Sequence, residues 1–160
     1  MARAISRKKK GPVTAKKVSH DGIDFASGLE KYMYIALKKA DIRAYYEHQT
    51  YELVSGFDFN ISSYERQGNG KGEFINRGNK KILNIKYTPD FFVYDKNGYT
   101  EFIIECKGRA NEAFPLRWKL FKKLMLEVSP NVVLFKPQNH KECDMVINLI
   151  NKTRNKWKDL

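Results

Sequence analysis

The sequence predicts an α/β domain built on a central mixed β-sheet flanked by helices, and three observations carry that prediction. Asn97-Gly98 separates two apolar runs, Phe91-Phe92-Val93-Tyr94 and Phe102-Ile103-Ile104, the strongest short-range hairpin signature a chain offers. Runs that are apolar at nearly every position belong to strands buried on both faces. Segments 27–40 and 111–128 instead repeat apolar residues at helical spacing. At 160 residues the chain is one domain, long enough to bury a core.

Residues 1–20 read as a basic, disordered arm. Arg3, Arg7, Lys8, Lys9, Lys10, Lys16 and Lys17 stand there with no acid before Asp21 and no apolar periodicity. Such an arm can track phosphates or serve as a solubilising tail. Residues 21–160 form the single domain. Ser27 to about Ala40 is the first helix, with Leu29, Met33, Ala36, Leu37 and Ala40 on one face. Ser27 and Glu30 match the capping box, in which the glutamate reaches back to the cap residue's amide.

Strands are expected over Arg43–Val54, Phe57–Tyr64 and Lys81–Tyr87. His48, inside the first, reads as a structural residue. Between the last two, Glu65–Lys80 carries Gly68, Gly70, Gly72 and Gly78 and reads as the flexible tip of a glycine-rich β-hairpin excursion at about 56–81. No helix follows these glycines, so they are no nucleotide-binding fingerprint. Their neighbours Arg66, Lys71, Arg77, Lys80 and Lys81 either touch nucleic acid or face solvent. After the central hairpin, Asn111–Val128 is the second helix, with Phe114, Trp118, Phe121, Leu124 and Met125 as its apolar stripe. A buried strand at Val132–Phe135 follows, and the last helix runs from about Lys141 to Leu160.

Thirty Lys and Arg against eighteen Asp and Glu give a formal charge of +12. That excess calls for a polyanionic partner, nucleic acid first; no apolar segment supports a membrane. Arg109, Arg117, Lys119, Lys122 and Lys123, in and beside the second helix, are candidate phosphate contacts, with a solvated face as the alternative. The N-terminus has no apolar signal-peptide core, and Cys106 and Cys143 have neither metal-ligand nor disulfide spacing. A reducing, cytoplasmic setting is expected.

Antiparallel pairing across Asn97-Gly98 makes Asp90 and Glu105 cross-strand neighbours. Glu105 and Lys107, two apart, leave one face of their strand. Two carboxylates and an ammonium therefore converge where charged groups are costly unless paired or bound to a metal.

The order Ser27-x-x-Glu30, strands, Pro89-Asp90, hairpin, Glu105-Cys106-Lys107-Gly108, helix, strand resembles the PD-(D/E)xK nuclease superfamily. Within it the chain is most similar to the bacteriophage endonuclease I group of Holliday-junction resolvases, over roughly Phe25 to Phe135. The resemblance implies a restriction-endonuclease-like core and a Mg²⁺-dependent endodeoxyribonuclease with one or two metal ions per site, Mn²⁺ substituting, and no small-molecule cofactor. It implies that Asp90, Glu105 and the main-chain carbonyl of Cys106 bind the first metal. Lys107 would then orient the attacking water, and Glu30 would help hold a second metal, its capping role becoming secondary. It further implies a homodimer acting on branched DNA in the host cytoplasm. The glycine-rich excursion departs from that pattern. Expected alternatives are a related nuclease cutting linear duplex and a nuclease-like DNA-binding or packaging factor that does not cut.

Overall fold

The computed structural model describes residues 16–66, 68–108, 111 and 113–158. Val18–His20 (β1) and Ile23–Phe25 (β2) form a small hairpin. Gly28–Lys39 (α1) follows, then Ala44–Tyr46 (β3) and Tyr51–Val54 (β4). A ribbon comes next: Phe57–Phe59 (β5), Tyr64–Glu65 (β6), Ile75–Asn76 (β7), Lys80–Ile82 (β8) and Ile85–Tyr87 (β9). Phe91–Tyr94 (β10), Thr100–Ile104 (β11), Phe114–Val128 (α2), Val133–Phe135 (β12) and His140–Lys158 (α3) complete the chain.

The central sheet is four-stranded and mixed, in the order β12-β11-β10-β3. β10 pairs antiparallel with β3 and β11, while β11 and β12 run parallel. The alternation of β10 divides its side chains between two cores. Phe91 and Val93 join Met33 and Leu37 of α1 and Val146 and Ile150 of α3. Phe92 joins Ile103 and the α2 residues Phe114, Trp118, Phe121 and Met125. Helices on both faces explain why every residue of β10 and β11 from 91 to 93 and 102 to 104 is buried.

The turn works through Asp95 and Gly98. Asp95 Oδ1 accepts the N–H groups of Asn97 at 2.9 Å and Tyr99 at 2.8 Å, and Gly98 takes φ +85°. Register runs Phe91↔Ile104, Phe92↔Ile103, Val93↔Phe102, then slips to Tyr94↔Thr100, leaving Glu101 as the bulged residue. Glu101 is buried and is gripped by Arg154 of α3 through Nε–Oε2 at 3.0 Å and Nη2–Oε2 at 2.5 Å.

Several expected boundaries move. Val18–His20 are paired strand, so the disordered arm expected through residue 20 does not extend over them; Arg3, Arg7, Lys8, Lys9 and Lys10 lie outside the described residues. The strand expected over Arg43–Val54 is two. Glu47 donates its N–H to the Asp90 carbonyl at 2.8 Å and then takes φ +46°, which turns the chain out of the central sheet before β4 pairs with β9. His48 sits in that break, exposed. The second helix begins at Phe114 rather than Asn111. The Asn111 side chain accepts the Phe114 N–H at 2.9 Å, and Pro115 suits a first turn where no N–H is needed.

The excursion is an antiparallel ribbon, β4/β9, β5/β8 and β6/β7 in succession, so the tip expected over Glu65–Lys80 is shorter. The strands expected at Phe57–Tyr64 and Lys81–Tyr87 are each interrupted. At Gly78 a Cβ would lie 1.9 Å from the Ile61 carbonyl oxygen, so the two strands cross closer than a side chain permits. Asn76 fixes the crossing by accepting from Ser63 N at 3.0 Å and Gly78 N at 2.9 Å.

Candidate functional site

The Asp90–Glu105 end of the central hairpin is held open by backbone bonds beyond the regular strands. Continuing the 91↔104 register sets Asp90 opposite Glu105. Glu105 N donates to the Phe135 carbonyl and Lys107 N to the Pro137 carbonyl, both at 2.9 Å. These extend the parallel β11–β12 pairing and fix the direction in which Glu105 and Lys107 leave the chain. Asp90 Oδ2 accepts the Cys106 N–H at 2.6 Å. Main-chain bonds to the segment after β12 and between the two hairpin ends therefore place the acids.

Glu30, Asp90, Glu105 and Lys107 line one cleft, with Lys86, Tyr87, Asn111 and Arg117 on its walls. Lys107 Nζ lies 3.9 Å from Glu105 Oε1 and 4.8 Å from the centre of the Phe114 ring. Glu105 is 5% exposed. Burial, above all, holds the Asp90 carboxyl well above the usual carboxylate range, reinforced by the charges of Glu105 and Glu30; the Cys106 N–H and Lys107 only partly offset this. Burial likewise pushes Glu105 up to about 7 against the opposing pull of Tyr87 and Lys107. The Glu105 Oε2 atom and the neighbouring Tyr87 hydroxyl are both buried with no hydrogen-bond partner of good geometry.

Glu30 reaches the cleft but is tied into the start of α1. Its Oε1 accepts the Ser27 hydroxyl at 2.6 Å, and its Oε2 accepts the Ala26 N–H at 2.9 Å and the Tyr46 hydroxyl at 2.7 Å. Ser27 Oγ in turn accepts the Glu30 N–H at 3.3 Å. This is the expected capping arrangement with its return bond one residue upstream of the cap. The capping role, which the resemblance makes secondary, occupies both oxygens.

Among the described residues no three His, Cys, Asp or Glu side chains form a ready-made metal-ligand group. The donor chemistry nevertheless suits a hard divalent cation. Asp90 and Glu105 offer carboxylate oxygens, their mutual repulsion calls for a positive charge between them, and Glu105 Oε2 is buried with no hydrogen bond of good geometry. The Cys106 thiol shares the core with Cys143, and that neighbour first, then burial, pushes it up.

Of the expected phosphate contacts, Arg117 lines the cleft. Lys119, Lys122 and Lys123 are exposed on α2 away from it, and Lys122 lies over the Trp118 ring at 5.7 Å. Lys16 and Lys17 are exposed just before β1; Arg109 lies outside the described residues. Sequence reasoning passed over Lys86, Tyr87 and Tyr46. Lys86 and Tyr87 stand just before Thr88-Pro89-Asp90, a position that could have flagged them; Tyr46 is brought to Glu30 only by the β3–β10 pairing.

No helix of the described residues is long and apolar enough to cross a membrane. No curated protein and no solved structure matches the chain. Residues 10–138 match the family described as "Protein of unknown function (DUF1064)", and the chain belongs to that family.

Proposed function

We propose that this member of the DUF1064 family is a metal-dependent endodeoxyribonuclease, with branched DNA, the Holliday junction above all, as its substrate and a homodimer as its working form. The observation that carries the reading is the convergence of Asp90, Glu105 and Lys107 in one cleft, with the half-buried Asp90 and buried Glu105 carboxyls held above their ordinary titration range. A fold does not require such a concentration of like charge, whereas a cation site does.

Asp90 and Glu105 would hold the cation, Mg²⁺ with Mn²⁺ as substitute. Once bound, it neutralises the two carboxylates and supplies the Lewis acidity that phosphodiester hydrolysis draws on. Lys107, restrained by Glu105 and the Phe114 face, presents a positive charge to the phosphate and stabilises charge that grows on its oxygens. Arg117 and Lys86 on the cleft walls would take the flanking phosphates, and the net charge of +12 supplies affinity that does not depend on sequence. In the metal-free protein, burial favours the protonated form of both the Asp90 and the Glu105 carboxyl.

One observation favours a second reading, a DNA-binding factor that does not cut: both Glu30 oxygens are engaged in the cap and with Tyr46. The two readings separate on labelled four-way junction, linear duplex and single strand, each with Mg²⁺ or EDTA, beside Asp90→Ala. Mg²⁺-dependent cutting of the junction, lost in the variant, supports the resolvase. Cutting of linear duplex transfers the same site to another nuclease activity, and tight binding without cutting in any metal supports the binding factor.

A further inference from the structure

A second cleft, of about 400 Å³, opens at the other end of β10. Three rings meet there: Tyr45 and His48 at 5.2 Å, Tyr45 and Tyr94 at 5.5 Å, His48 and Tyr94 at 5.7 Å. Arg43 lies 5.2 Å from the Tyr45 ring, and Lys96 closes the cleft from the turn. Arg43, His48 and Lys96 are exposed, while Tyr45 and Tyr94 are half-buried. Asp95 also borders the cleft, but its Oδ1 is occupied by the Asn97 and Tyr99 amides.

This combination selects a ligand class. Two side-chain cations argue against a cationic guest. The exposed polar groups suit a purely apolar guest poorly. Ring faces beside arginine and lysine match a planar base joined to phosphates, the pattern by which proteins hold unpaired strands. Position adds a second argument. Asp90 and Tyr94 stand at opposite ends of β10, roughly 13 Å apart by strand rise, with the buried Phe92 between them.

We infer that the Tyr45–His48–Tyr94 cleft is a subsite for an unpaired nucleobase of a DNA strand, with Arg43 and Lys96 on the adjoining phosphates. The inference rests on the nuclease reading for its assumption that the same strand reaches Asp90 and Glu105. It would make unpaired bases near the cut, rather than base sequence, the feature recognised.

The test uses the full chain in EDTA, where no cutting occurs. The probe is a short single-stranded oligonucleotide carrying one 2-aminopurine, compared with the same oligonucleotide in a duplex. Stacking should quench the single strand on binding. His48→Ala, an exposed substitution, should weaken affinity about tenfold or more, and His48→Trp should restore it. Arg43→Ala should weaken binding and lower its salt dependence. His48→Ala binding and quenching like the parent would overturn the subsite, as would duplex competing as well as single strand. Free deoxyadenosine monophosphate competing at the oligonucleotide's own affinity would overturn the strand assignment in favour of a free nucleotide. Running Asp90→Ala in parallel separates the two ideas: His48-dependent quenching without any Mg²⁺-dependent cutting supports the subsite and removes only the nuclease, whereas cutting with a silent His48 does the reverse.

Discussion

Asp90 accepts the main-chain N–H of Cys106 at 2.6 Å, so one of the two hairpin acids is held by the peptide that joins the other acid to Lys107. A single main-chain bond thus ties Asp90 to the Glu105-Cys106-Lys107 run. Asp90→Ala should remove Mg²⁺-dependent cutting and leave the Cys106 N–H without its partner. The expected structural cost is about 1–3 kcal/mol. Asp90→Asn should keep part of that stability and still be inactive. Chemical denaturation beside a cleavage assay checks both; an active Asp90→Asn would remove the carboxylate from the proposed chemistry.

Lys107→Ala should slow cutting by roughly 10²–10³ while leaving junction affinity within a few-fold. Its ammonium is one of thirty Lys and Arg cations, and it lies 3.9 Å from Glu105. Normal cutting by this variant would reassign the role of the lysine.

Titration of Glu105 sets a pH dependence in the metal-free protein. Its carboxyl rises from an ordinary 4.5 to about 7 in the folded state, so the folded form binds the proton more tightly than the unfolded one. That contribution to stability is fully present below about 4.5 and is lost as pH rises toward 7. In EDTA, Tm should therefore fall across this window, and Glu105→Gln should flatten the fall. Adding Mg²⁺ at pH 8 should raise the parent's Tm and leave Glu105→Gln unmoved.

Glu30 distinguishes its two roles. Tyr46→Phe removes one bond to the Glu30 carboxylate, at an expected cost of about 1.5–3 kcal/mol, and Ser27→Ala should cost about 1 kcal/mol as a lost cap. If Glu30 acts only there, Glu30→Gln stays active at a temperature where it remains folded. Loss of cutting in folded Glu30→Gln would show a direct part in the chemistry.

Arg154→Ala leaves the buried Glu101 carboxylate unpaired and should destabilise the domain by about 3 kcal/mol, measured by urea denaturation. Glu101→Gln combined with Arg154→Met should recover much of that loss, since neither charge then remains inside.

The hairpin, the Asp90–Glu105 end of its register and the first helix were legible because each rests on local chemistry: Asn97-Gly98 for the turn, antiparallel pairing across it, Ser27 and Glu30 for the cap; the slip at Glu101 was not. The convergence of Asp90 with Glu105 followed from that register alone. What stayed hidden depends on partners distant in sequence. Arg43–Val54 alternates like one strand, yet Glu47 bonds to the Asp90 carbonyl and the chain leaves the sheet. Tyr46 gives no sign of its bond to Glu30 until β3 is laid beside β10. Asn111 continues the helical spacing of its segment, but its side chain serves the helix from outside.

The ribbon enters and leaves the body through one facing pair, Tyr51 and Tyr87, the latter packed on Trp118 and Phe121 of α2. Leu53 of β4 still packs on the α2 core and Lys86 of β9 lines the cleft, so the graft is the segment beyond these two strands, residues 55–84. It can be shortened, lengthened or exchanged for another hairpin without rerouting any strand of the central sheet. A chimera that closes the chain with a tight turn between β4 and β9 keeps the two acids where they are, and the activity it loses is the activity the ribbon confers.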